Sequence, residues 1–197
     1  MRLWKGACHL GRRARAGKGL PPLLLFTDPD RTPDPAAAMD RLPRGAGVVF
    51  RPFGRPDQLA RGPALRAVAR RRGLVFLVGA DARLAATLKA DGVHLPERLA
   101  HRAGPLRRLR PGWVVTAAAH GLAAALAARR AGAQAVVVSA VFPSRSASAG
   151  RPMGATRFAA LARSAGLPVY ALGGVNAGNV RRLAASGAAG VAAVDGV

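Results

Sequence analysis

The sequence predicts a closed parallel (β/α)8 barrel, the TIM-barrel architecture, with its last helix missing or replaced. Eight short apolar runs, at 23–27, 48–51, 74–78, 92–95, 113–117, 135–138, 169–172 and 190–194, follow one another after Pro22. Seven segments of helical spacing, at 36–42, 58–72, 82–89, 97–109, 122–131, 155–164 and 177–186, alternate with them. Several of these stop at a glycine just before the next run, as in Arg72-Gly73, Ala131-Gly132, Ala165-Gly166 and Ser186-Gly187, the left-handed stop that admits a short connection into a strand. The right-handed crossover rule leaves few other ways to wind such units, an open doubly wound sheet being the second.

Residues 1–20 are basic, contain glycine and are only weakly periodic, so they read as a mobile arm or a short helix laid over one end of a single barrel domain at 21–197. The first run, LLLFT, is followed by Asp28 and Arg31, and the second, VVFR, ends on Arg51. LVFLV, GVHL and WVVTA form the third to fifth, and Ala119-His120 follows the fifth. The sixth and seventh runs open on VFPSRS and LGGVN, two loops that a parallel barrel places on one side of the molecule. The eighth, GVAAV, comes shortly before Val197, so the closing helix is absent or replaced, with the N-terminal arm as its substitute.

A chain of 197 residues, half of them hydrophobic, has enough material for one domain with a substantial core. Arginine, glycine or proline interrupts every apolar run well before bilayer-spanning length, and the N-terminus lacks an apolar stretch before a small-residue cleavage site. A cytoplasmic protein with no membrane partner is expected. The single cysteine, Cys8, excludes a disulfide framework within the chain and a cysteine-based metal site. The net charge of +22 suggests nucleic acid, but its distribution argues against a specific partner of that kind. Arginine is spread over nearly every helical segment, lysine occurs only at positions 5, 18 and 89, and aromatic stacking platforms are missing. Weak adhesion to polyanions remains.

The stretch 136–174 carries the main chemical signal. Backbone N–H groups of Gly173, Gly174 and Val175, with the hydroxyls of Ser144 and Ser146, are placed to surround an anion, and phosphate is the natural one. Two glycines after a strand permit close backbone approach. Arg51, at a strand end in a barrel mouth, needs an anion or a carboxylate such as Asp28 to offset its burial. His120 stands at a strand-to-helix junction, where an imidazole is suited to proton transfer. His94 lies inside an apolar run and reads as a hydrogen-bonded core histidine.

Seven motifs in order, LFTDPDR at 25–31, Arg51, ADGVHL at 90–95, Ala119-His120, VFPSRS at 141–146, ALGGV at 171–175 and GAAGVAAV at 187–194, resemble the family of thiamine-phosphate synthases and their TenI-like relatives. The resemblance implies a barrel in thiamine biosynthesis that binds a small phosphorylated thiazole. It implies Mg²⁺ only for the synthase reaction with a pyrimidine diphosphate, and this chain departs from the synthase pattern. The synthase's Asn-Asp pair falls at Gly79 and Ala80, its second carboxylate at Leu99 with Glu97 and Asp81 nearby, and its lysine at Ala147.

His94-Leu95-Pro96 and His120 match the TenI-like branch, in which a thiazole carboxylate phosphate is tautomerised without metal or other cofactor. On that resemblance His120 is the acid/base, Arg51 meets a carboxylate, and Ser144, Ser146, Gly173, Gly174 and Val194 surround a phosphate. Ala118 replaces a serine the family often has there, so the ring of His120 needs another orienting group, and Asp195 stands where the family has a phosphate-side serine. Synthase activity through a displaced metal site and a non-catalytic phosphate-ligand binder are the alternatives. The oligomeric state is open, a homodimer included.

Overall fold

The computed structural model describes residues 2–13, 19–144 and 150–194. Its strands are β1 (Leu23–Phe26), β2 (Gly47–Phe50), β3 (Val75–Gly79), β4 (Gly92–Leu95), β5 (Val114–Ala119), β6 (Ala135–Val138), β7 (Val169–Ala171) and β8 (Gly190–Ala193). They pair in parallel in sequence order, and β8 closes back on β1 with Leu24 opposite Ala192. The predicted barrel is therefore the observed one.

The unbroken apolar runs have a direct cause: a parallel barrel buries both faces of every strand. Leu24 and Phe26 of β1 point inward to meet Val49, Leu77, Val137 and Tyr170, while Leu23 and Leu25 join the layer under the helices. The Tyr170 hydroxyl, at the closed end of the interior, donates to the Pro21 carbonyl at 2.7 Å, and burial raises its pKa.

The helices are α1 (Arg2–Arg13), α2 (Pro35–Asp40), α3 (Pro56–Arg72), α4 (Ala82–Thr87), α5 (Ala103–Leu109), α6 (Leu122–Arg130) and α7 (Gly154–Ser164), with 3₁₀ turns at Glu97–Arg102 and Val180–Leu183. Gly73 ends α3 at φ 63°, its N–H donating back to the Ala69 and Arg70 carbonyls, as its place before β3 predicts.

Two expected helices are shorter than the periodicity suggests. The 97–109 segment divides between Arg102 and Ala103 into a 3₁₀ turn and α5, and Pro105, in the first turn of α5, has no N–H to carry a helical ladder back into the 3₁₀ turn. The 177–186 segment keeps only its central 3₁₀ turn. Asn176 Oδ1 accepts from the N–H groups of Gly178 and Asn179, and Asn179 Oδ1 accepts from that of Asn176, so side chains take donors from the backbone ladder.

Within the N-terminal segment Arg2–Arg13 form α1, whose place is a flank of the barrel. Leu3, Ala7 and Leu10, spaced along one face of α1, are buried in the same core cluster as the outward residues of the strands. A Cβ added to Gly6 would lie 2.8 Å from Val180, and one added to Gly11 would lie 3.0 Å from the Ala189 carbonyl oxygen. Thus α1 covers β8 and β1 on the side where a helix after β8 would pack. None of the described helices is long and apolar enough to cross a membrane.

Candidate active site

A cavity of about 850 Å³ opens at the carboxyl ends of the strands, a size suited to a small-molecule ligand. His120, Arg51, Ser144, Gly173, Gly174 and Val194 all line it. Ser146, Ala147 and Asp195 lie outside the described residues.

Adjacent parallel strands bring the loops after β4 and β5 together, and that adjacency supplies His120 with a partner. Glu97, two residues beyond β4, turns its Oε2 toward His120, one residue beyond β5. This oxygen accepts from the His120 backbone N–H at 2.9 Å and lies 2.8 Å from its Nδ1. A carboxylate is an acceptor, so Nδ1 carries the hydrogen and Nε2 presents a lone pair. The orienting group that Ala118 does not provide is therefore Glu97. The sequence places Glu97 near the family's metal carboxylate; its pairing across two loops depends on the order of strands in space.

On the opposite wall, Arg51 donates through Nε to the Thr27 carbonyl at 2.8 Å, while Nη2 lies 3.4 Å from Asp28 Oδ2. Its guanidinium carbon is 5.3 Å from the centre of the Phe26 ring and 5.0 Å from that of Phe53. Burial, partly opposed by Asp28 and assisted by Arg31, lowers its pKa, and the guanidinium remains a cation. The side chain is thus both the structural ion pair and a wall of the cavity. Phe53, which sequence reasoning passed over, is a large hydrophobic residue 59% exposed at the mouth with φ 51°, a conformation uncommon outside glycine.

His94 is hydrogen-bonded as expected, with Nδ1 2.9 Å from Thr116 Oγ1 and its ring edge-on to Phe26 at 4.9 Å. It also lines the cavity, which the apolar run around it did not reveal. Burial, assisted by the Arg51 charge, pushes its pKa from 6.5 down to about 3. The unfolded chain therefore takes up this proton first. The stability involved is complete above about pH 6.5 and falls as the pH drops toward 3, by on the order of 1.4 kcal/mol per unit. Replacing His94 by Gln is expected to remove that slope, so the urea midpoints of wild type and variant converge between neutral pH and about pH 4.

Gly173 and Gly174, at φ 90° and 63°, face the loop after β6. The N–H groups of Val141 and Phe142 donate to the carbonyls of Leu172 and Gly173, both at 2.9 Å. A Cβ on Gly174 would collide with the Pro143 carbonyl oxygen, so part of the need for glycine is this close loop-to-loop approach. The N–H groups of Gly173, Gly174 and Val175 have no acceptor among the described residues.

A family model described as thiamine monophosphate synthase matches residues 45–197. The chain belongs to the thiamine-phosphate synthase family. The thiamine biosynthesis bifunctional protein of Geobacter sulfurreducens is 34% identical over 177 residues, covering 89% of this chain and 36% of that longer protein. The chain thus spans little more than a third of that relative's length. The thiamine-phosphate synthase of Chlorobium luteolum is 30% identical over 185 residues, covering 90% of this chain and 85% of its own. The solved structure of thiamine phosphate pyrophosphorylase from Pyrococcus furiosus shares the fold with a TM-score of 0.75 at 24% identity, over 89% of this chain and 86% of that one.

The synthase branch of the family implies Mg²⁺, and the donors among the described residues do not fit it. Gly79 and Ala80 have no ligating groups, and a Cβ on Gly79 would lie 3.0 Å from Arg51 Cγ, in space the arginine stem now limits. Asp81 Oδ1 caps α4, accepting from the N–H groups of Arg83 and Leu84, both at 2.9 Å. Glu97 is held by His120. Among the described residues no three His, Cys, Asp or Glu side chains converge on one point.

Proposed function

We propose that this family member tautomerises a thiazole carboxylate phosphate by metal-independent proton transfer through His120. The observation that carries the proposal is the 2.8 Å pairing of His120 Nδ1 with Glu97, which leaves Nε2 as a base at the cavity. His120 Nε2 takes a proton from one position of the heterocycle and returns it at another, while Glu97 holds the ring and stabilises the imidazolium between the two transfers. The N–H groups of Gly173, Gly174 and Val175, with Ser144, Ser146 and the Val194 region, hold the phosphate; Arg51 takes the carboxylate. The partner is thus a small phosphorylated thiazole.

Proton NMR in D₂O tests this. With the purified protein and a chelator present, the thiazole carboxylate phosphate should convert to its aromatic tautomer with deuterium incorporated. Binding without conversion would instead favour a non-catalytic binder. The names of the relatives support a second reading, synthase activity, for which binding of a pyrimidine diphosphate should depend on added Mg²⁺.

A further inference from the structure

We infer that His94 and Arg51 together form a carboxylate subsite on the β1–β2–β4 wall, and that His94 is a specificity-determining contact. The inference rests on the thiazole carboxylate reading above and assigns a role to a residue that reading does not use.

Thr116 has a buried hydroxyl whose partner among the described residues is His94 Nδ1. A buried hydroxyl donates where it can, so Nδ1 accepts and Nε2 carries the ring hydrogen. His94 is itself only 7% exposed, and that exposure is to the cavity it lines. Its Nε2–H has no acceptor among the described residues, leaving a fixed neutral donor at the cavity wall.

Phe26 aligns this donor with a cation. The same ring lies edge-on to His94 and beneath the guanidinium of Arg51, so both groups share an apolar support. Arg51 commits Nε to Thr27 and Nη2 to a long contact with Asp28, leaving Nη1 for a ligand. The Arg51 cation, flanked by Asp28 and Arg31, and one neutral N–H offer a donor to each of the two oxygens of a carboxylate. A phosphate has the backbone donors of the Gly173–Gly174 turn across the mouth, which leaves the Arg51 side for the carboxylate. When His120 removes a proton from a heterocycle conjugated with that carboxylate, negative charge spreads onto the same oxygens, where both donors strengthen.

Calorimetric titration of wild type, His94→Leu and Thr116→Val tests this with two probes, the thiazole carboxylate phosphate and the same thiazole phosphate without its carboxylate. Wild type should prefer the carboxylated probe. His94→Leu should weaken that probe about tenfold or more while changing the other little. Thr116→Val keeps the imidazole but frees its tautomer, and should lower the preference in the same direction; it decides the matter if His94→Leu does not fold.

Equal binding of both probes by wild type, or a preference unchanged in the deciding variant, overturns the subsite. Wild-type turnover is read separately by NMR. Turnover with a His94-independent preference defeats this inference alone, whereas a His94-dependent preference without turnover defeats only the tautomerase reading.

Discussion

Replacing His120 by Ala is expected to lower turnover of the thiazole carboxylate phosphate by about 10²- to 10⁴-fold, with affinity changed no more than a few-fold. The split follows from geometry. His120 is held by Glu97 rather than by the groups assigned to phosphate and carboxylate, so its removal takes away the proton carrier and leaves the anion sites. Glu97→Ala should reduce kcat by at least about tenfold with KM little altered, because the imidazole remains but loses its fixed tautomer and orientation. Steady-state kinetics and titration on the same preparations check both. Retained turnover in His120→Ala would remove this residue from the mechanism.

Gly174→Ala is expected to destabilise the fold by about 2–4 kcal/mol, seen calorimetrically as a fall in Tm of about 5–10 °C. Two costs combine. The backbone at φ 63° is unfavourable for a side chain, and the added Cβ meets the Pro143 carbonyl oxygen and lies 2.9 Å from the Phe142 carbonyl carbon. Neither backbone atom can swing aside as the end of a flexible side chain would. An unchanged melting temperature would mean that the loops after β6 and β7 are not held against each other.

The barrel was legible because its signals are local. LLLF at β1 reads as buried on both faces with no knowledge of its neighbours, and Arg72-Gly73 announces the end of α3 and the approach of β3. The cavity was partly legible for a similar reason: a residue just past a strand lies at the barrel mouth, which located Arg51, His120 and the double glycine.

Relations across strands were less visible. Glu97 and His120 are 23 positions apart and meet because β4 and β5 are neighbours in space. His94 looked like core because it is core, and access to the cavity depends on which way a strand faces. The 177–186 segment misled through its spacing, since Asn176 and Asn179 spend their side chains on nearby backbone.

The packing of α1 over β8 and β1 also has a consequence for the time course of folding. Gly11 lies close to the Ala189 carbonyl, and Thr32 donates to the Val194 carbonyl 162 positions away, so early and late parts of the chain complete the same seam. Such long loops are slow to close, and α1 lacks its full docking surface until β8 and the 180–183 turn are in place beside β1. Until then part of its apolar face is without its native partner, and the strand that closes the barrel governs when α1 finds its place.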